Sequence, residues 1–220
     1  SEAIMIAIHK DCTYYQGEGY LPIQVGAQCN PNTDLPITKD NTGENISDQN
    51  GVYCELTALY WYWKNGDLVD YTGLVHYRRY FVKHVHLFGE NRTEILTCND
   101  IRDIFRSGKK IILPKKCSKS KCNGRLYKNK REGNQDVPLL LTKKIIEEDY
   151  PEYLDSFCEV AYENGKVSFG NMFICGYDDF TNYCEWVFDI LKKLANKLEI
   201  VPPRMMGFVS EYLLCAWAHY

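Results

Sequence analysis

The 220-residue sequence predicts an α/β fold: a mixed, mainly parallel sheet flanked by helices. Three observations carry that prediction. Short apolar runs of strand length end abruptly in polar residues, these runs alternate with segments of helical period, and the chain is long enough to bury one sizeable core without any internal repeat. The expected organisation is therefore a single domain over residues 1–220.

Residues 3–8 are apolar and close on His9-Lys10-Asp11, a first buried strand opening into a polar loop. Residues 21–26 read as a second strand, with Pro22 near its start, where a missing N–H is tolerated. Residues 30–51 are rich in Asn, Asp, Thr, Pro and Gly and predict a long loop. The run YCELTALYWYWK, residues 53–64, is apolar nearly all round and predicts a helix buried between layers. Residues 70–81, DYTGLVHYRRYF, read as a buried strand that delivers a His and two Arg at its tip. Residues 99–107 predict a helix capped by Asn99 or Asp100, followed by Gly108 and a strand over 110–114. Residues 141–163 have helical spacing interrupted at Pro151. A strand over 168–175 carries Asn171, and a long amphipathic helix spans 179–197. The chain closes with a turn at Gly207, Ser210 as a cap and an apolar helix to Tyr220.

Composition limits function. The net charge of −3 argues against a dedicated nucleic-acid binder. Ten cysteines lie scattered without paired CxxC spacing, which favours reduced thiols in a cytosolic protein over a zinc module or a disulfide scaffold. No run approaches the roughly 18 apolar residues of a membrane span, and no secretory apolar segment opens the sequence. The 17 Tyr and 4 Trp suit stacking on sugar-like ligands and equally suit an aromatic core. One segment departs from the average: residues 115–131 hold eight basic residues and no acidic one. Such a run is a solvated loop or, with the residues up to 135, a basic lid that meets a phosphate-bearing substrate or an anionic membrane face.

Guanidinium groups are rarely buried unpaired, so Arg78 and Arg79 expect anionic company. Beyond the carboxyl end of a strand, two planar forks suit a diphosphate. Glu55 stands in an otherwise apolar helix, where a carboxylate needs a partner or a raised pKa. His84 and His86 alternate at strand spacing and, with His76, make only a weak metal signal, since no third ligand motif is near.

Three groups of residues together resemble a known family: 40–47 (DNTGENIS), 53–65 (YCELTALYWYWKN) and 73–81 (GLVHYRRYF). Residues 171–174, Tyr183-Cys184-Glu185-Trp186 and 207–211 match its later part in order. The chain resembles the small glycosyltransferases of bacterial capsular and exopolysaccharide clusters, long catalogued as a domain of unknown function. The resemblance implies a GT-A-like, Rossmann-like architecture. It further implies a nucleotide-diphosphate-sugar donor, a UDP-sugar such as a UDP-galactose form, and a polyprenyl-diphosphate-linked glycan acceptor met at the inner face of the plasma membrane. Peripheral membrane contact would run through residues 115–131, and no nucleic acid is involved.

The resemblance also distributes roles. A GT-A enzyme usually ends its central strand in Asp-x-Asp, which holds a divalent metal such as Mn or Mg. Here His76-Tyr77-Arg78 occupies that place, so no metal ligands and no further cofactor are assigned, and Arg78 and Arg79 would neutralise the leaving diphosphate directly. His9, Lys10, Asp40, Asn41, Gly43, Asn45, His76 and Tyr77 are the expected donor-site residues. Glu211 is the expected base of an inverting transfer, with Asp178 and Asp179 as alternates near Asn171, and Glu55 as a further site residue. The competing readings are a noncatalytic nucleotide-sugar or glycan-binding module and a metal-dependent hydrolase built on the His residues.

Overall fold

A computed structural model describes residues 1–118, 137–163, 166–168 and 170–220. Most of the basic segment of residues 115–135 lies outside the described residues.

The sheet has six strands: β1 (Glu2–Ile8), β2 (Tyr20–Gln24), β3 (Thr38–Lys39), β4 (Tyr71–His76), β7 (Ile111–Ile112) and β10 (Phe173–Gly176). Their order is β3-β2-β1-β4-β10-β7. The first four are parallel, and β10 runs antiparallel to both β4 and β7. The sheet is thus mixed and mainly parallel, as the alternation of elements predicts. β5 (Val82–Leu87) and β6 (Glu90–Ile95) form a separate exposed hairpin, and β8 (Cys117–Ser118) pairs with β9 (Lys166–Val167).

Helices cover both faces. β1 shows why: Met5 and Ala7 enter one cluster with α2 (Leu56–Asn65), α4 (Val137–Asp149), α5 (Leu154–Cys158), α6 (Tyr177–Asn196) and α7 (Met205–His219). Ile4, Ile6 and Ile8 enter the other, with α3 (Cys98–Arg106) and Tyr20. Period-2 alternation with both sets buried is the mark of a strand central to a layered sheet. At Gly73 the backbone of β10 comes so close that a Cβ would stand 1.9 Å from the Phe173 carbonyl oxygen, so only glycine fits.

Local chemistry moves several boundaries. The strand expected over 70–81 ends at His76, because His76 and Arg79 exchange both backbone hydrogen bonds and Tyr77-Arg78 becomes the tip of a tight turn. α3 is capped by Thr97, ahead of the expected Asn99 or Asp100: Thr97 accepts from the Asp100 N–H while Asp100 accepts from the Thr97 N–H, a capping box. The segment after Pro151 breaks into a 3₁₀ turn, α5 and a π turn rather than one helix. α7 starts at Met205, so Ser210 is no cap; it lies inside the helix, its hydroxyl 2.8 Å from the Gly207 carbonyl oxygen. A short helix α1 (Asn50–Tyr53) precedes α2. No helix among the described residues is long and apolar enough to cross a membrane.

Candidate active site

In sequence order the sheet departs from β1 on one side to β2 and on the other to β4, so the carboxyl ends of β1 and β4 flank the point where the strand order reverses. Open α/β sheets bind ligands there, because loops from adjacent strands diverge and leave a crevice. A cavity of about 800 Å³ occupies that place. His9 enters it from the end of β1. His76, Tyr77, Arg78 and Arg79 enter from the end of β4. Cys54 and Glu55 come from the junction of α1 and α2, Arg204 from the residue just before α7, and Glu211 from α7 itself.

The charges are divided. Arg78 and Arg79 are exposed, and neither has a carboxylate within ion-pair distance among the described residues. Arg78 lies 5.0 Å from the centre of the Tyr77 ring, and His9 meets that ring edge-on at 5.4 Å. Burial lowers the His9 pKa, and the charges of Lys10 and Arg78 lower it further, so the imidazole is neutral at pH 7. His76 is likewise held neutral by burial, with Arg79 adding to the effect and Glu55 opposing it. Its Nε2 lies 3.7 Å from Glu55 Oε1, too far for a hydrogen bond, and has no hydrogen-bond partner among the described residues.

Glu55 is fixed rather than free. Asn171 Nδ2 donates to its Oε1 at 2.9 Å and to the Gly207 carbonyl at 3.0 Å, and the Ser210 hydroxyl lies 2.8 Å from Asn171 Oδ1. Asn171 is buried, so this chain of bonds ties α2, the start of β10 and α7 into one wall. Glu211 is the opposite case. Its Oε2 is buried without a partner among the described residues, and burial, helped by the Glu55 charge, pushes its pKa up to about 8. The Gly170 N–H and the guanidiniums of Arg204 and Arg79 hold it from rising further.

Of the expected donor-site residues, the fold brings His9, His76 and Tyr77 into this cavity together with Arg78, Arg79, Glu55 and Glu211. Lys10 stands exposed beside His9, outside the lining. The loop of residues 40–47 goes elsewhere. The Asp40 carboxylate is fully buried and accepts from Gly26 N, Ala27 N, Ser47 Oγ and Thr57 Oγ1 at 2.5–3.1 Å, so its acceptor capacity is spent inside the protein. Gly43 packs on Asn65, and Asn45 bonds back to the Gly43 carbonyl and forward to the Ser47 N–H. Asn41 lines a separate hollow of about 290 Å³. This loop docks on α2, where Trp61 Nε1 donates to Thr42 and Tyr60 to Glu44. Asp178 and Asp179 are not near Asn171: β10 runs antiparallel to β4, which puts its start beside the cavity and the first turn of α6 at the other end of the sheet.

His84 and His86 lie on the exposed hairpin, their Nδ1 atoms 3.4 Å from Thr93 and 2.8 Å from Asn91. Among the described residues no group of three or more His, Cys, Asp or Glu side chains converges as a metal site. The cavity's own donors fit a hard cation poorly: one carboxylate is bonded to an amide, the other is held largely protonated at neutral pH, and guanidiniums replace the remaining oxygens.

Among the lining residues that lie outside the expected set, Cys54 and Arg204 carry reactive or charged groups. Burial pushes the Cys54 thiol up to about 11, which leaves it a poor nucleophile. Arg204 had a readable signal: it follows Pro202-Pro203, a stiff pair that positions the next residue just ahead of an apolar helix.

The family model described as a domain of unknown function (DUF4422) matches residues 3–220. No curated protein matches the chain. Among solved structures, the apo structure of the WbbM bifunctional glycosyltransferase matches 99% of this chain and 42% of its own, at 28% identity and a TM-score of 0.78. The fold is therefore a glycosyltransferase fold, and this chain spans less than half the length of that structure.

Proposed function

We propose, for a chain that belongs to the DUF4422 family, glycosyl transfer from a nucleotide-diphosphate sugar at the cavity between β1 and β4. The observation that carries this reading is the pairing, in one cavity at the switch point, of guanidiniums that no described carboxylate pairs on one wall with a buried carboxyl whose Oε2 has no partner among the described residues on another. Similarity to the WbbM bifunctional glycosyltransferase supports it.

The chemistry follows from that arrangement. Arg78 and Arg79, in the turn that closes β4, hold the donor diphosphate and neutralise the charge that develops as the bond to the anomeric carbon breaks. Glu211, ionised, takes the proton from the acceptor hydroxyl while that oxygen attacks from the opposite side, which inverts the configuration. Glu55, held by Asn171, orients the sugar hydroxyls. The donor is a UDP-sugar, such as a UDP-galactose form, the acceptor is a lipid-linked oligosaccharide, and the guanidiniums act in place of a divalent metal.

Thermal-shift titration against UDP, GDP, CMP and dTDP, followed by transfer assays with and without EDTA, tests this. UDP is expected to raise the Tm by several degrees at a hundredfold excess over its Kd, where binding contributes about 2.7 kcal/mol. Activity is expected to survive exhaustive chelation. Stabilisation by no nucleotide would leave the noncatalytic alternative, and loss of turnover restored by manganese would sink the guanidinium assignment.

A further inference from the structure

Arg78 and Arg79 are not the only guanidiniums without a carboxylate at this cavity. Arg204 lines it from a different wall: its N–H donates to the Gly51 carbonyl of α1 at 2.8 Å, and its guanidinium sits 5.1 Å from the centre of the Phe208 ring. It is exposed, and no carboxylate lies within ion-pair distance among the described residues.

The backbone is strained to put it there. Three non-glycine residues among those described have positive φ, and two of them, Cys54 at 54° and Arg204 at 64°, line this cavity side by side. Strain of this kind persists where the surroundings over-determine a conformation that a site needs. Arg204 also lies seven residues before Glu211. Arg204 is the non-helical residue just ahead of α7, and its guanidinium is near enough to Glu211, inside that helix, to lower the carboxyl's pKa. Arg204 and the proposed base therefore line one wall, and the diphosphate clamp lines another.

We propose that Arg204 forms a second anion subsite, which takes an anionic group of the acceptor while Arg78 and Arg79 take the donor diphosphate. The proposal rests on the glycosyl-transfer reading. The planar fork fits phosphate or carboxylate oxygens alike, so the anion comes from the diphosphate of a lipid carrier or from an acidic sugar. A guanidinium on the base's own wall would set the acceptor's register, leaving one hydroxyl at Glu211.

Calorimetric titration of the 220-residue protein, saturated with UDP, against farnesyl diphosphate and against a glucuronic-acid disaccharide tests the subsite. At least one probe is expected to bind, and the one that does names the source of the anion. R204Q is expected to weaken that probe about tenfold while UDP affinity stays within about twofold. R78Q is expected to do the reverse, and R204K, which keeps charge but loses the fork, to fall between. The proposal is overturned if R204Q weakens UDP as much as R78Q does, which would assign Arg204 to the donor, or if neither probe binds. Should no nucleoside diphosphate bind, the transfer reading is what fails, and R204Q-sensitive binding of either probe to the free protein still decides the subsite.

Discussion

Glu211 pays for its position in stability. Its carboxyl is buried with one oxygen unpartnered, and burial moves its pKa from 4.5 to about 8. Below about pH 4.5 the group is protonated in both the folded and unfolded chain and costs nothing. Between that pH and about 8 the unfolded chain releases a proton that the folded chain keeps, so stability falls as pH rises. Glu211→Gln is therefore expected to fold normally and to exceed the natural protein in stability by an amount that grows across this window. At pH 8 the gain is on the order of 4 kcal/mol, less the cost of burying the new amide without a partner. The same variant should lose transfer by a factor of about 10² or more, and in the natural protein kcat/KM should climb towards pH 8 as the base ionises. Denaturant melts at pH 4.5 and 8, read with a pH–rate profile, check both halves. A flat profile would remove Glu211 from the base's role. The neighbouring residues divide the same way: Glu55, bonded to Asn171, has its geometry fixed, whereas His76 Nε2 and Glu211 Oε2 are left for a ligand to satisfy.

Among the elements, β4 is the one whose geometry the site depends on. Its carboxyl end carries the turn that presents Arg78 and Arg79, and its middle is pinned by Gly73 against β10. Gly73→Ala would place a methyl group 1.9 Å from a backbone carbonyl oxygen, so the two strands must separate. The expected cost is about 3 kcal/mol, seen as a fall in Tm, together with weaker nucleotide binding because the turn moves with its strand. Unchanged Tm would show that β10 can yield at no cost. Elements are readable where a signal is local. The apolar run of β1, the long amphipathic α6 and the breaking effect of Pro151 each stand within a few residues. The end of β4 is not, because HYRRY reads equally as strand or turn until the paired hydrogen bonds of His76 and Arg79 close it. The loop of residues 40–47 misleads for a related reason: Asn, Asp and Gly suit a ligand's hydroxyls and suit a turn, and here Asp40 spends its oxygens on α2 and the end of β2.

In the chain taken entire, one sheet carries helices on both faces, and its central strands contribute side chains to both apolar clusters. Neither cluster can lose its sheet without exposing the other, so the 220-residue chain is expected to unfold in a single calorimetric transition, with van't Hoff and calorimetric enthalpies in agreement. Two resolved transitions would show that the halves fold separately. Fold class, the order of the main elements and the concentration of His and Arg at residues 76–79 are all legible in the bare sequence, because hydrophobic period, turn residues and adjacent Arg residues are properties of short stretches. Which polar residues share a cavity is settled by packing instead. The antiparallel run of β10 sends Asn171 to the site and Asp178 and Asp179 away from it, and the start of α7 brings Arg204 in. Strand direction and helix docking are fixed by contacts between residues far apart in the chain, and no local pattern encodes them.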